Sequence, residues 1–437
     1  MRVSFMIRKR YRRILTIGMI TAMVLSGCGK KEVPMTVITP QNRIEIWAWD
    51  ETFNVKAARI AAEAYQKKHP EVPIKITAKE KNEIMEDLNN NLEAKSYAGL
   101  PDIVLIEDYE VQEILSRYEG EFLEMDEYLD YSLYQDYKVE LASREGKHYG
   151  VPFDSGAAVM FYRKDYLEAA GYTEKDMEHI TWEEYMQIGK KVQEVTGVSM
   201  LTVQPDDLGL IRIMMQSGGS WYVKNEGEEA YISDNSILKE AIHTYKKLVE
   251  QNLTVPVSGW DDFVAAFQEG KVATVVSGCW IASSIRDNQE QDGLWRVAPI
   301  PKMENIPDAV NASNIGGSSW YVIKNRNVSQ LAANFLKETF GENREVIEEI
   351  ARQTNLVTTR KDAQELAVYD TADSFFGNTN IFHIFLEATE KVPVVNYGMN
   401  TYEIENILET EFLDILKGED MDRILEKVQV KAQSVVE

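Results

Sequence analysis

The sequence predicts an α/β protein with mainly parallel sheets flanked by helices, in a chain long enough for two such bodies. Three observations carry that reading. The folded part opens in strand–helix–strand order, which favours a parallel sheet with right-handed crossovers. Ile103 to Ile106 is an unbroken apolar run after Pro101-Asp102, as expected of a strand covered on both faces. A second strand–helix series begins near residue 152, and 437 residues with 44% hydrophobic side chains suffice for two sizeable cores.

A leader precedes the fold. Arg8 to Arg13 is basic, Ile14 to Leu25 is apolar, and Ser26-Gly27-Cys28 is small, the three zones of a secretory signal. The apolar run is too short to span a bilayer as a helix, which takes about 20 residues. Leu25-Ser26-Gly27-Cys28 resembles the lipobox of bacterial lipoproteins, which makes residues 1–27 a signal peptide and Cys28 a lipidated first residue. An ordinary signal peptide or a short anchor with an incidental Cys fits the same letters. Residues 28–41 are polar, contain Pro34 and Pro40, and read as a flexible tether.

The body follows element by element. Ile44 and Ile46 alternate in a strand that runs into Trp47-Ala48-Trp49-Asp50. Ala57, Ile60, Ala61, Ala64 and Tyr65 form a helical stripe that stops at His69-Pro70. Ile74 to Ile76 and Ile103 to Ile106 are strands. Ala157 to Tyr162 is strand-like. Thr181-Trp182-Glu183-Glu184 fits a capping box, opening a helix that ends at Gly197. Met200 to Val203 is a strand, Ser236 to Gln251 a helix, and Lys271 to Val276, Val297 to Ile300 and Trp320 to Ile323 are strands. From Val328 onward the pattern is helical, with Leu331, Phe335, Ile404, Leu408, Phe412 and Ile415 on core faces.

Composition and motifs exclude several function classes. Six bases precede Cys28 without an acid; the remaining 41 Lys and Arg face 71 Asp and Glu, a net charge of −30. Such a body repels phosphates, so nucleic acid is not expected as a partner. Two Cys rule out a disulfide framework or a Cys-based zinc cluster, and Cys279 reads as a buried packing residue. Gly270-Lys271 is followed by Val272 and is no phosphate loop. No two of the five His stand at i, i+4, and both Gly-Gly-Ser segments lack the closing Gly of a nucleophile elbow. Asp292-Gly293 lacks the Glu that would complete a calcium loop. No cofactor, metal or catalytic residue is expected, although counting alone cannot exclude a glycosidase carboxylate pair.

The aromatic residues fall at informative places. Trp49 and Asp50 follow the first strand, and Glu107 and Asp108 end the third, at strand carboxyl ends where open α/β sheets bind ligands. Trp280 follows Ser277-Gly278, and Gly317 and Ser318 precede Trp320. Trp221 follows the Gly218-Gly219 turn. Aromatic faces beside carboxylates suit a sugar, whose C–H faces stack on rings while its hydroxyls donate to acceptors. Each Trp is equally readable as a core or surface-cluster residue.

The pieces that occur in order are Ile44 to Trp49, Leu100 to Val104, Tyr149 to Asp154, Val159 to Leu167 with Ala170-Gly171, Thr181 to Glu184, Phe267 to Ala273, Val297 to Pro301 and Gly316 to Trp320. Together, behind a lipobox, they resemble the extracellular solute-binding lipoproteins of ABC importers, of the maltose-binding-protein-like carbohydrate type. The resemblance implies a two-lobe fold of the periplasmic-binding-protein kind, joined by hinge strands. Lobe one is expected at 42–151 with 274–326, and lobe two at 152–273 with 327–437. It gives weight to Asp154 past the first crossover and Trp280 past the second. Phe376, in Phe375-Phe376-Gly377-Asn378, resembles a segment of members that take up plant-derived or galactosyl oligosaccharides, but Gly377-Asn378-Thr379 departs from their Gly-Gly-Gln.

The implied function is capture of a sugar or oligosaccharide by hinge closure and delivery to an ABC permease, by a monomer held to the outer face of the cell membrane through lipid on Cys28. The ligand set is Trp49, Asp50, Glu107, Asp108, Asp154, Trp221, Trp280, Gly317, Ser318 and Phe376. A surface glycosidase, or a partner that presents ligand to a membrane sensor, are the alternatives.

Overall fold

β1 (Ile44–Ala48) opens the computed structural model, which describes residues 43–437 except position 206; the expected signal peptide 1–27, Cys28 and the expected tether 28–41 lie outside the described residues. Ile44, Ile46 and Ala48 join one core and Trp47 the other, because side chains alternate across a strand. α1 (Asn54–Lys68) buries Val55, Ala57, Ala58, Ala61, Ala62 and Tyr65, a 3.6-residue stripe, and stops before Pro70. β2 (Ile74–Ala78), α2 (Lys81–Glu93), β3 (Ile103–Glu107), α3 (Asp136–Leu141) and β4 (Gly150–Asp154) continue this lobe.

The second lobe contains β5 (Ala158–Arg163), α4 (Trp182–Thr196), β6 (Leu201–Val203), α5 (Gly209–Ser217), α6 (Ser236–Glu250), β7 (Thr254–Pro256), α7 (Gly259–Gln268), β8 (Thr274–Gly278), α8 (Ala282–Arg286) and β9 (Trp295–Pro299). The chain returns to the first lobe through β10 (Ser318–Val322), α9 (Ser329–Leu336) and α10 (Arg344–Thr354). It ends in α11 (Ile381–Glu390), α12 (Thr401–Leu416) and α13 (Met421–Val436). The capping box opens α4 as the sequence predicts: the Glu184 amide donates to Thr181 Oγ1 at 3.2 Å, and the Thr181 amide donates back to Glu184 at 2.8 Å. Gly197 closes that helix at φ 75°.

The first sheet has strand order β2-β1-β3-β10-β4, with β1, β2 and β3 parallel and β10 antiparallel to both β3 and β4. The second has order β8-β5-β9, and here both neighbours run antiparallel to β5. In this lobe β6 and β7 pair in parallel.

This pairing moves the lobe boundaries. Residues 274–326 do not stay together in the first lobe: β8 and β9 flank β5, and only the stretch from β10 onward pairs with β3 and β4. Nor does 327–437 belong wholly to the second lobe. Ala332, Phe335 and Leu336 of α9 and Val346 and Ile350 of α10 share a core with Val55, Ala58 and Ala61 of α1. Consequently Asp154, expected in lobe two, ends a strand of the first sheet, and Trp280, expected in lobe one, follows a strand of the second. The backbone decides this, because β8 pairs along its whole length, Thr274 to Gly278, with Ala158 to Tyr162 of β5.

The lobes are joined by segments lying side by side. The Ser155 amide donates to Val357 O, the Ile315 amide to Gly156 O and the Ala158 amide to Ser313 O, each at 2.8 Å. A Cβ on Gly156 would sit 2.5 Å from Ile315 O, so this crossing admits no side chain.

Candidate ligand cleft

β1, β3 and β4 end on the same edge of the first sheet, because β1 and β3 are parallel and β3 and β4 both oppose β10. Register lines three polar residues along that edge: Ser318 pairs with Glu107 on one side and Asp154 on the other. Trp49 and Asp50 lie beside them, past the end of β1. These residues floor a cleft of about 470 Å³. Its opposite wall comes from the second lobe, through Trp260 of α7 and Trp280, Ser283 and Ser284 at α8; Thr52, Asn54 and the end of α10 (Gln353, Thr354, Asn355) complete the rim.

Seven of the ten expected ligand residues line this cleft: Trp49, Asp50, Glu107, Asp154, Trp280, Gly317 and Ser318. Asp154 is buried, and one of its oxygens accepts from the Ser318 amide at 2.7 Å and the Ser318 hydroxyl at 2.5 Å. Burial pushes its carboxyl up, against the opposing pull of Lys138 and Ser318. Glu107 accepts from Lys81 at 2.5 Å and, across the lobes, from the Tyr402 hydroxyl of α12 at 2.7 Å. Asp50 stands at φ 59° and accepts from the Thr52 amide, the Thr52 hydroxyl and the Phe53 amide at 2.8–3.1 Å, shaping the turn into α1.

Trp280 is held flat against its own backbone. Its Nε1 donates to Ile315 O at 3.0 Å, and a Cβ on Gly278 would lie 2.1 Å from that nitrogen, so the indole needs Gly beneath it. Its ring centroid is 5.9 Å from that of Trp260, which is 51% exposed. Trp260 was not foreseen: it sits in the first turn of a helix rather than at a strand end. The turn residues Ser258-Gly259 before it, with Gly259 at φ 74°, are the local signal that marks the position.

Three expected residues lie elsewhere. Asp108 follows Glu107 and points the opposite way, into the core, where Lys138 holds both its oxygens at 2.6 and 2.8 Å. Burial pushes its carboxyl up to about 7; Lys138 opposes this, and the charges of Asp154 and Glu107 add to it. Trp221 is buried between the lobes, its Nε1 donating to Thr401 Oγ1 at 2.9 Å and its ring stacked 5.4 Å from Tyr109. The glycine turn before it aims the indole inward, where burial of so large an apolar surface is most favourable. Phe376 is buried against Phe161, 5.7 Å between ring centroids. Cys279 is buried, as the sequence suggests.

Among the described residues the cleft lining includes three carboxylates and no Lys, Arg or His. It can accept hydroxyl donors and stack apolar faces, and it opposes anions. No group of three or more His, Cys, Asp and Glu among the described residues is placed to hold a metal.

Comparison with known proteins gives the family of the chain. Residues 61–376 match the model of a family described as bacterial extracellular solute-binding protein. The chain is 37% identical over 394 residues to the lactose-binding protein of Rhizobium radiobacter, covering 90% of this chain and 93% of that one. It is 24% identical over 392 residues to an arabinooligosaccharide-binding protein of Halalkalibacterium halodurans, covering 86% and 85%. In fold it is similar to the sugar-binding protein MalE of Xanthomonas citri, with TM-score 0.75, 17% identity and coverage of 90% and 97%. By sequence and by fold, this chain belongs to the bacterial extracellular solute-binding proteins.

Proposed function

We propose that this protein captures an uncharged sugar, a galactosyl disaccharide such as lactose or a short oligosaccharide containing one, and delivers it to an ABC permease without altering it. The observation that carries the reading is the facing of unlike walls: a carboxylate edge on one lobe and a tryptophan pair on the other. The carboxylates accept hydroxyls, the indoles cover C–H faces, and a ligand touching both walls shifts the population toward the closed form. Sequence similarity to the lactose-binding protein supports the galactosyl choice. The lipobox at Leu25–Cys28 supports anchoring by lipid on Cys28 at the outer face of the membrane, with the body acting as a monomer.

Calorimetry with lactose, maltose and arabinose tests the ligand. Tightest binding to lactose, with the sugar recovered intact after long incubation, is the expected result. Hydrolysis that disappears on changing Glu107 or Asp154 to the amide would instead point to a glycosidase. Intact mass of the membrane-fraction protein tests the anchor: a lipid-bearing Cys28 terminus is expected, and an unmodified one sinks it.

A further inference from the structure

Beneath the cleft floor lies a buried ammonium group that touches no part of the cleft itself. Lys138 of α3 is fully buried, and its three N–H groups are all engaged: two reach Asp108, at 2.6 and 2.8 Å, and one reaches Ser318 O at 2.9 Å. Ser318 passes the contact on, because its amide and its hydroxyl both donate to one oxygen of Asp154. Asp108 grips the same edge beside it. Its amide donates to Gly317 O at 3.0 Å, and a Cβ on Gly317 would lie 2.6 Å from its carboxylate. Two residues of the floor are therefore held from below by one lysine and its carboxylate partner.

We propose that Lys138 is a positioning residue for ligand capture, which fixes the Gly317-Ser318 edge and supplies the counter-charge that the Asp154 carboxylate lacks within the cleft. The inference rests on the sugar reading above and names a residue that serves it without touching the sugar. Among the described residues the cleft lining holds no Lys, Arg or His, so a counter-charge for Asp154 comes from beneath. Burial is the largest influence on Asp154 and favours its neutral form; the Lys138 charge is the first of those that oppose it, followed by the bonds from Ser318. A carboxylate accepts sugar hydroxyls more strongly than the neutral acid, so this charge matters for binding. The other titratable groups facing the assembly are Asp108 and Glu107 at the end of β3, Tyr137 of α3, Cys279 after β8, Tyr321 of β10 and Tyr397 before α12. Glu107 is itself paired with Lys81. Burial pushes the three tyrosines and the thiol up, so they stay neutral near pH 7 and leave Lys138 as the cation beside Asp154.

The test is Lys138→Met, read by lactose calorimetry at pH 6 and pH 8 and by carboxyl-carbon NMR of aspartate-labelled protein, with the Asp154 signal assigned from its absence in Asp154→Asn. Removing the ammonium group raises the pKa of Asp154, so the carboxylate is lost at a higher pH as the solution is acidified. Beyond any change in the wild type, the variant should bind lactose roughly tenfold more weakly at pH 6 than at pH 8, the difference between a charged and a neutral hydrogen-bond partner. Its Asp154 signal should titrate at higher pH than in the wild type. Lys138→Met/Asp108→Asn removes both charges of the buried pair, which spares the fold a stranded carboxylate. It should show the same two shifts, so the outcome does not depend on the single variant folding. An affinity loss equal at both pH values, or an Asp154 titration unmoved in the double variant, overturns the proposal and leaves Lys138 a packing residue. If lactose does not bind the folded wild type, the sugar reading falls, while the NMR titration still decides whether Lys138 sets the charge of Asp154.

Discussion

The two walls of the cleft are built on different principles. On the first lobe every carboxylate is already engaged within the protein: Asp154 with Ser318, Glu107 with Lys81 and Tyr402, Asp50 with the turn into α1. On the second lobe Trp260 stands half in solvent, and Trp280 keeps a ring surface against the cleft. The floor therefore couples binding to folding, whereas the wall is free to serve binding alone. Substitutions on the two sides separate these roles.

The largest effect is expected at Asp154. Replacement by Ala strands the Ser318 amide and hydroxyl in a buried place, and hydrogen bonds to charged groups contribute about 1.5–3 kcal/mol. Both the melting temperature without ligand and the sugar affinity should fall, affinity by roughly ten- to a hundredfold. An unchanged melting temperature would break the coupling assigned to the floor.

Next come the tryptophans. Trp260→Ala should weaken sugar binding by about 2 kcal/mol, the scale of an aromatic hot spot, and leave the apo melting temperature where it was. Trp280→Ala should weaken binding similarly and also lower the melting temperature modestly, since it loses the bond to Ile315. Calorimetry beside differential scanning of both variants sharpens the comparison; a sharp drop in stability for Trp260→Ala would make it a packing residue.

A smaller effect is expected at Tyr402, whose hydroxyl ties Glu107 to the other lobe. Tyr402→Phe should weaken affinity by roughly tenfold, because the interlobe hydrogen bond it removes ends on a carboxylate and contributes about 1.5 kcal/mol, the low end for a charged partner. Equal affinity in the variant and the wild type would show that this bond does not contribute to closure.

The last is a pH effect at Asp108. Its folded pKa, about 7, lies above the ordinary carboxyl value of 3.8, so the native state holds the proton more tightly than the unfolded chain. This contribution favours the folded state in acid and is lost as pH rises from about 4 through about 7. Denaturant titrations at pH 5 and pH 7.5 should give Asp108→Asn a shallower decline with rising pH than the wild type. A parallel decline in the two proteins would show that Asp108 ionises normally despite its burial.

Periodicity within a segment was readable from the letters alone. The α1 stripe, the capping box of α4, the buried run of β3 and the strand ends bearing Trp49 and Glu107 all depend on neighbours a few residues apart. Family resemblance and local pattern together also placed most of the cleft edge. What the sequence by itself determined, then, was the identity of the elements and the class of chemistry at their ends. Tertiary structure decided which strands pair, because backbone hydrogen bonds are alike for every residue and carry no address. That is why β8 and β9 joined β5, and why Asp154 and Trp280 exchanged lobes yet still face each other. It also decided which tryptophan meets solvent. Trp221 and Trp260 both follow glycine turns, but the first is enclosed by Tyr109, Tyr397 and Thr401, contributed by elements distant in the chain, while the second lies on a helix face left open to the cleft.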